Sequence, residues 1–277
     1  MSATFKTRLE NKEFVKIIEV LPPKDSDISP VVRALNNVKS RFHFVSVVDN
    51  PRGIVHMSAL ACSYLIQKEG FETIMHVSCT NKNRIEIRSQ ILGAKALEIN
   101  NILFVTGDHV LSGENREAKP VYDVDSIHAI RMAEKLNENL FIGAVANPLS
   151  GELQIKGLLK KSEAGAEFIV TQPVYDIQVF RNFIGKVNNL NIKIPLYRIA
   201  GIMPLKSAKH AEFINNKIPG IRVPDTVIER LKNSKDPYRE GISIANETIR
   251  EVKKIKEISG INVMGLFDLE TAKELEV

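Results

Sequence analysis

Polar side chains that could carry acid–base chemistry or bind a ligand interrupt or follow eight short apolar segments of this 277-residue chain. Glu19 lies within the first of them, in the sequence IIEVLPP (17–23). Burial of an unpaired carboxylate is costly, because the charge loses its contact with water, and burial therefore raises the pKa of the group. Glu19 is consequently a candidate proton donor near neutral pH. A buried ion pair with Arg or Lys that serves only the structure is the alternative interpretation.

The other candidates share a position in or directly after an apolar segment. Asp108 follows Gly107 in FVTGDHV (104–110), where glycine lets the backbone approach a ligand closely. A turn or a helix cap would use the same aspartate. Gln172 could contact a ligand or join two loops, and His76 could be a histidine of the core. The remaining candidates are Asp49, Asn50, Ser78, Asn147, Thr171 and Arg198.

An alternation of apolar and amphipathic segments predicts the elements that position these side chains. The apolar segments are predicted strands at 14–21, 42–48, 72–79, 101–107, 140–146, 167–174, 193–202 and 261–267. Their Val, Ile and Phe content is typical of strands buried on both faces of a parallel sheet. Helical patterns occupy 29–38, 58–70, 84–97, 123–137, 151–165, 177–188, 206–216, 224–233 and 240–258. Ser29 is the expected N-cap of the first predicted helix, and Pro30 follows in its first turn.

Eight strands that alternate with helices favour an α/β fold, a single (β/α)8 TIM barrel over residues 1–277. A doubly wound open sheet is the alternative, since periodicity does not reveal whether a sheet closes. In a (β/α)8 barrel the active site lies at the C-terminal ends of the strands and in the loops that follow. The candidate residues should therefore meet at one end of the barrel. The long loop at 108–123 is also unusual unless it serves a function.

Composition excludes several classes of function. Lys and Arg exceed Asp and Glu, with a net charge of +5, but they are interleaved with acidic residues and form no stripe of the kind that binds nucleic acid. Two cysteines are too few for a disulfide framework or a structural zinc site, and no metal site is predicted. No signal peptide or long apolar run is present, so the expectation is a cytoplasmic protein without membrane insertion. Motifs for nucleotide hydrolysis, Rossmann-type dinucleotide binding, serine hydrolases and zinc proteases are absent from the sequence.

Five short motifs, in order along the chain, resemble those of the methylenetetrahydrofolate reductase family. They are IEVLPPK (18–24), HVSC (76–79), NILFVTGD (101–108), KKSEAGAEFIVTQPVYD (160–176) and AGIMP (200–204). The resemblance extends over nearly the whole chain. Three further segments, DNPRG (49–53), YDVDSI (122–127) and HAEFINNKIPGIRVP (210–224), resemble one branch of the family. This branch includes the reductase portion of bifunctional homocysteine methyltransferase–reductases and related enzymes of anaerobes and archaea.

The resemblance implies a flavin-dependent reduction of 5,10-methylenetetrahydrofolate to 5-methyltetrahydrofolate, in one-carbon metabolism and methionine biosynthesis. It implies that Glu19 protonates N10 of the folate, that Asp108 lies beside the flavin and the pterin, and that Gln172 binds the pterin. FAD is the expected cofactor and FMN the alternative, with NAD(P)H or a reduced partner as electron donor. The implied flavin contacts are His76, Gly107, Asp108, Asn147, Lys161 and Tyr122.

Three positions depart from the family pattern. Val48 stands where many relatives have Thr, Thr106 where Arg is frequent, and Ala208 where an aromatic residue stacks on folate in other members. These departures leave open whether the cofactor is FAD or FMN, and whether the substrate is a folate or a modified pterin. A flavin-free, pterin-binding barrel of the methyltransferase type and a subunit active only within a larger redox complex are the alternative functions. A homo-oligomer or association with an electron-donating subunit is expected, without an added regulatory domain.

Overall fold

Eight parallel strands form a closed barrel in the computed structural model, which describes residues 4–110, 113–115, 117–136, 139–265 and 269–277. The strands are β1 (Val15–Val20), β2 (Phe44–Val47), β3 (Glu72–Ser78), β4 (Asn101–Val105), β5 (Phe141–Ala146), β6 (Phe168–Pro173), β7 (Tyr197–Ile202) and β8 (Gly260–Val263). Each strand pairs with the next along the chain, and β8 pairs with both β7 and β1. An open sheet would leave two edge strands, so the closed ring confirms the predicted (β/α)8 barrel and rules out the doubly wound sheet.

Helices connect the strands and cover the outside of the barrel. Those described are α1 (Phe5–Glu10), α2 (Ser29–Asn36), α3 (Ala59–Lys68), α4 (Arg84–Ala96), α5 (Ser126–Leu136), α6 (Glu152–Glu163), α7 (Ile177–Asn188), α8 (Ala208–Lys217), α9 (Asp225–Asn233) and α10 (Pro237–Lys253). Strand residues Val45, Ile102 and Ile261 share one apolar cluster with helix residues such as Ile91 and Ile249. Among the helices above, none combines the length and the apolar character that a membrane span requires.

The start of α2 corrects the expected cap. Ser29 is the first helical residue, and Ile28 holds the cap position without a side-chain hydrogen bond. The carboxylate of Asp27 accepts the backbone N–H of Ser29 at 2.9 Å, so an aspartate two residues upstream satisfies this donor. Pro30 lies in the first turn as predicted.

Two other boundaries differ for identifiable reasons. β7 begins at Tyr197 instead of residue 193, and Pro195 in the intervening segment has no N–H to donate to a strand ladder. α10 begins earlier than residue 240, because Asp236 caps it by accepting the backbone N–H of Arg239 at 3.1 Å. The predicted end of the helix at residue 137 and the predicted end of the last strand at residue 267 lie outside the described residues.

Helix α1, which the sequence analysis did not predict, closes the N-terminal end of the barrel. Phe5 is fully buried, and its ring lies 5.0 to 5.5 Å from the rings of Phe44, Phe141 and Phe168. Its backbone N–H donates to the Glu72 carboxylate at 2.9 Å. The barrel is therefore filled by aromatic packing at this end.

The inward-facing side chains become more polar toward the C-terminal end of the barrel. Above the aromatic layer, Ile17, Ile74 and Leu103 continue the same apolar cluster. Two residues further along their strands stand Glu19 and His76, which reach a cavity. Since side chains alternate between the two faces of a strand, the inward register of Ile17 and Ile74 places Glu19 and His76 inside as well.

Candidate active site

A cavity of about 660 Å³ opens at the C-terminal ends of the strands, a volume typical of sites for small-molecule ligands. It is lined by residues from β1, β3, β4, β5, β6 and β8 and by α6. Seven of the eight residues assigned a role by the family resemblance line it, namely Glu19, His76, Gly107, Asp108, Asn147, Lys161 and Gln172. The barrel thus brings together residues that are separated by up to 153 positions in the sequence, from Glu19 to Gln172.

Four candidates do not line the cavity, and two of these, Asn50 and Ser78, adjoin its wall through hydrogen bonds to Asp49. Tyr122 is 59% exposed, with its ring centroid 6.2 Å from that of His109, and it does not line the cavity. Arg198 is the second residue of β7, near the opposite end of the barrel. Its neighbours Tyr197 and Ile199 belong to the cluster inside the barrel, so Arg198 points toward the surrounding helices. The inclusion of Arg198 among the strand-end candidates was wrong.

Glu19 is a carboxyl that lines the cavity. Within the described residues it makes no ion pair, which argues against the structural alternative. Burial raises the pKa of its carboxyl from 4.5 to about 7, against the opposing effects of the Gly265 backbone N–H and of the Asn262 side chain. The group therefore holds its proton in a large fraction of molecules at neutral pH, as a general acid requires.

His76 is a neutral hydrogen-bonding group in the cavity wall. Its Nε2 lies 2.6 Å from the hydroxyl oxygen of Ser46, and its burial lowers the pKa of the ring to about 4, although nearby Asp49 acts in the opposite direction. A neutral imidazole has one donor and one acceptor nitrogen. His76 can thus offer a hydrogen bond to a ligand without adding charge.

A buried ion pair joins the ends of β2 and β3. The Asp49 carboxylate accepts hydrogen bonds from the Lys82 ammonium, from the Ser78 backbone N–H at 2.8 Å and from the Asn50 side chain at 3.1 Å. Sequence reasoning identified Asp49 but missed Lys82. A buried aspartate needs a cationic partner, so the sequence indicated that one exists. It did not indicate which of its lysines and arginines is the partner.

Asp108 is anchored by the loop that follows β2. One of its carboxylate oxygens accepts the backbone N–H of Arg52 at 2.6 Å. Asn50 and Arg52 adopt positive φ angles of 45° and 59°, which are uncommon for residues other than glycine. The Arg52 guanidinium lies 5.8 Å from the ring centroid of Phe213 on α8. The loop after β2 therefore holds Asp108 in the cavity wall and reaches across to α8.

Lys161 on α6 places an ammonium group in the cavity without an anionic partner in hydrogen-bonding range among the described residues. Its Nζ donates to the backbone oxygen of Val145 at 2.8 Å. Burial lowers the pKa of Lys161, which the charge of Asp125 offsets in part. A bound anion at this position would restore the favourable environment that burial removes.

The local backbone positions two of the predicted amides, Asn147 and Gln172, in the cavity wall. The Asn147 side-chain oxygen accepts the backbone N–H of Leu149 at 2.9 Å. The pairing of β6 with β7 shifts register between Val170 and Pro173, and Gln172 lies within this irregularity. Such irregularities redirect side chains, and they occur often beside active sites. Among the described residues, no group of three or more His, Cys, Asp and Glu side chains is placed to hold a metal ion.

Comparisons with known proteins agree with this architecture. Residues 4–275 match the family model described as methylenetetrahydrofolate reductase. Methylenetetrahydrofolate reductase 2 of Schizosaccharomyces pombe is 30% identical over 273 residues, covering 89% of this chain and 41% of that protein. A probable methylenetetrahydrofolate reductase (NADPH) of Caenorhabditis elegans is 26% identical over 70% of this chain and 29% of its own length. The chain thus spans less than half the length of these curated relatives.

A solved structure shares the fold over the full length. It is an uncharacterized protein from Clostridium thermocellum that binds two copies of 5-methyl-5,6,7,8-tetrahydrofolic acid, with a TM-score of 0.72 and 16% identity. The match covers 97% of this chain and 96% of that one. Because the family model matches nearly the whole chain, the protein belongs to the methylenetetrahydrofolate reductase family.

Proposed function

We propose that this protein reduces 5,10-methylenetetrahydrofolate, or a related methylene-pterin, to the 5-methyl compound with the help of a bound flavin. Family membership supports the reaction class. The observation that carries the proposal is Glu19, an acid with a pKa of about 7 inside the cavity that forms no ion pair in the described part of the chain. The clostridial protein of the same fold binds the corresponding 5-methyl compound, which is the product of the proposed reaction.

The cavity lining fits a flavin. Leu103, Val105 and Val145 offer an apolar wall for a planar ring system, and the neutral His76 offers hydrogen bonds to its polar edge. The Lys161 ammonium, which has no anion in hydrogen-bonding range among the described residues, suits a phosphate group. When bound, the flavin supplies the two electrons as a hydride. FAD is the cofactor that we propose, with FMN as the alternative.

Glu19 supplies the proton that opens the substrate ring. Reduction requires that the bond between the methylene carbon and N10 breaks and that N10 receives a proton. The protonated carboxyl of Glu19 donates it and becomes a carboxylate, while the methylene carbon remains on N5 as a cation that accepts the hydride. Because the pKa of Glu19 lies near 7, the group is protonated often enough to act and loses its proton without a large penalty.

Asp108 and Gln172 are proposed to orient and stabilise the substrate. The Asp108 carboxylate faces the developing positive charge, and the Arg52 backbone N–H holds it in place before the substrate arrives. The Gln172 amide can both donate to and accept from the polar edge of a pterin. Tyr122 does not line the cavity, so its contact with the flavin stays a prediction from the family resemblance.

A nicotinamide cofactor is the proposed electron donor, as the name of the nematode relative states for that protein. A reduced partner subunit is the alternative. Cytoplasmic location and assembly as a homo-oligomer or with an electron-donating subunit stay predictions.

Glu19→Gln provides the test. We expect the purified wild-type protein to be yellow, to bleach with a reductant and to recover its colour with methylenetetrahydrofolate. The variant should keep its flavin but lose folate turnover by about 100-fold or more, because a positioned general acid contributes about that much. Glu10→Gln on the exposed face of α1 is the matched control and should turn over normally.

Three outcomes would contradict parts of the proposal. Normal turnover by Glu19→Gln would remove Glu19 as the acid. A colourless wild-type protein that binds folate stoichiometrically would favour the flavin-free barrel. A yellow protein inactive with every soluble donor, but active after addition of a partner, would identify a subunit of a redox complex.

A further inference from the structure

Asn262 on β8 is a buried amide that the described part of the chain leaves without partners. It is 1% exposed and lines the cavity, and neither its Oδ1 nor its Nδ2 makes a hydrogen bond there. Buried polar groups in folded proteins are nearly always paired, and each exception needs an explanation. The position of Asn262 in a ligand cavity indicates that its partners belong to the reaction.

The barrel register places Asn262 beside Glu19. Asn262 pairs with Ile17 of β1, and Glu19 follows Ile17 by two residues on the same inward face. On its other side Asn262 pairs with Gly201 of β7. Asn262 is close enough to Glu19 to act on its ionisation, although the two do not form a hydrogen bond of normal geometry.

A proton donor needs different partners before and after it reacts. A protonated carboxyl carries an O–H group that requires an acceptor, whereas the carboxylate that remains requires donors. The Gly265 backbone N–H can donate to the carboxyl oxygens, but it cannot accept the O–H of the protonated form. A lysine or arginine beside Glu19 would hold it ionised, and a second acid would oppose its ionisation. An amide can serve both states without adding charge.

We propose that Asn262 is the positioning residue of Glu19, accepting from the protonated carboxyl through Oδ1 and donating to the carboxylate through Nδ2. The proton passes from Glu19 to the substrate nitrogen, and the Asn262 amide neither gains nor loses a proton. A rotation of the Asn262 side chain exchanges its two roles. The inference rests on the proposed function only for the identity of the proton acceptor.

The first test follows the protonation of Glu19 directly, by infrared titration of the purified protein. The C=O stretch of the protonated carboxyl is assigned to Glu19 by its loss in Glu19→Gln. In Asn262→Leu, which keeps the branched shape of the side chain but no hydrogen-bonding group, we expect the titration midpoint to rise by about one pH unit. The variant loses a hydrogen bond to each state of Glu19, and the bond to the charged carboxylate is the stronger of the two. Asn246→Leu is the control, because Asn246 is also buried but bonds to Glu276 and Glu274 far from the cavity.

Turnover supplies a second readout. Asn262→Leu should lower kcat and shift its pH profile in the same direction as the titration midpoint, with little change in KM. Asn262→Ser, whose hydroxyl both donates and accepts, should restore part of both properties. Asn262→Ser also provides the test of the proposal if Asn262→Leu does not fold.

The outcomes separate this inference from the proposed function. A midpoint that moves in Asn262→Leu, in a protein that reduces no folate, would support the pairing and contradict the reaction. An unchanged midpoint and pH profile in both Asn262 variants, in an active reductase, would overturn the role of Asn262 alone.

Discussion

At the level of single residues, the cavity depends on groups whose charge state is set by burial. Glu19 is a carboxyl whose pKa is raised to about 7, and His76 is a neutral imidazole. Lys161 is an ammonium group whose pKa is lowered by burial. Each of these groups is less stable in its charged form than it would be in water. The protein thus sacrifices some stability for the chemistry that we propose.

Glu19→Gln should therefore stabilise the protein, and the gain should depend on pH. The folded-state pKa of about 7 exceeds the ordinary 4.5, so the native state binds the proton more tightly than the unfolded chain does. The wild-type protein should lose stability as the pH rises from 4.5 to 7. At about 1.4 kcal/mol per pKa unit, the loss approaches about 3.5 kcal/mol above pH 7.

Chemical denaturation of both proteins at pH 4, 6 and 8 measures this difference. The advantage of Glu19→Gln should be small at pH 4 and greatest at pH 8. An advantage that is the same at all three pH values would show that burial does not raise the pKa of Glu19.

Gly107→Ala tests a backbone position in the site. Gly107 has a φ of +87°, and an added Cβ would lie 1.9 Å from the Ser78 hydroxyl oxygen. We expect destabilisation of more than about 1 kcal/mol and weaker flavin binding, because a side chain strains this conformation and displaces Ser78. Gly185→Ala on α7, where an added Cβ meets nothing within 4 Å, is the matched control and should stabilise by about 0.5 to 1 kcal/mol. Equal effects of the two changes on thermal unfolding would contradict the strain argument.

At the level of elements, two contacts hold the ends of the barrel. Helix α1 inserts Phe5 among three aromatic rings at the N-terminal end. The Asp49–Lys82 pair joins the segments that follow β2 and β3 at the C-terminal end. Each contact connects residues that lie far apart in the sequence.

Phe5→Ala should destabilise the protein by about 3 to 5 kcal/mol, since it leaves a cavity in the closed end of the barrel. Phe213→Ala, at a ring that is 41% exposed, removes an aromatic side chain of the same size and should cost far less. Urea denaturation compares the two variants. A similar loss in both would mean that α1 does not close the barrel.

Lys82→Met should destabilise by about 3 to 5 kcal/mol, because the buried Asp49 carboxylate loses its cation. The double variant Asp49→Asn with Lys82→Met should recover much of the loss, since neither buried charge remains. A double-mutant cycle measures the coupling. Additive losses would show that the two side chains do not act as a pair.

At the level of the whole molecule, ligand binding and folding are coupled through the cavity. Any ligand that binds only the folded protein stabilises it, and free FAD at about 100 times its Kd should add about 2.7 kcal/mol. Lys161→Met should reduce that gain, because it removes the proposed phosphate contact, while the flavin-free variant should be no less stable than the wild type. Lys160→Met, at the exposed neighbouring position, is the control. An undiminished gain in Lys161→Met would remove Lys161 from the flavin site.

Much of the architecture was predictable from the sequence because its signals are local. Strands buried on both faces are continuous apolar segments, and the positions of all eight could be identified from them. Boundaries were less predictable: Pro195 delayed β7, and Asp27 replaced Ser29 in satisfying the first backbone donor of α2. Helix α1 was missed because only Phe5 and Leu9 of its six residues are buried.

The sequence by itself determined the eight strands that alternate with helices, the row of polar residues at the strand ends and the resemblance to the family, whereas the closure of the sheet came from the structure. Only the tertiary structure decided which of these side chains share an environment. Lys82 meets Asp49 because the ends of β2 and β3 are adjacent, and Tyr122 falls outside the cavity wall. Asn262 lies beside Glu19 because β8 pairs with β1, although 242 residues separate the two in the chain. Periodicity reports the face on which a residue lies, whereas the closure of the barrel determines its neighbour.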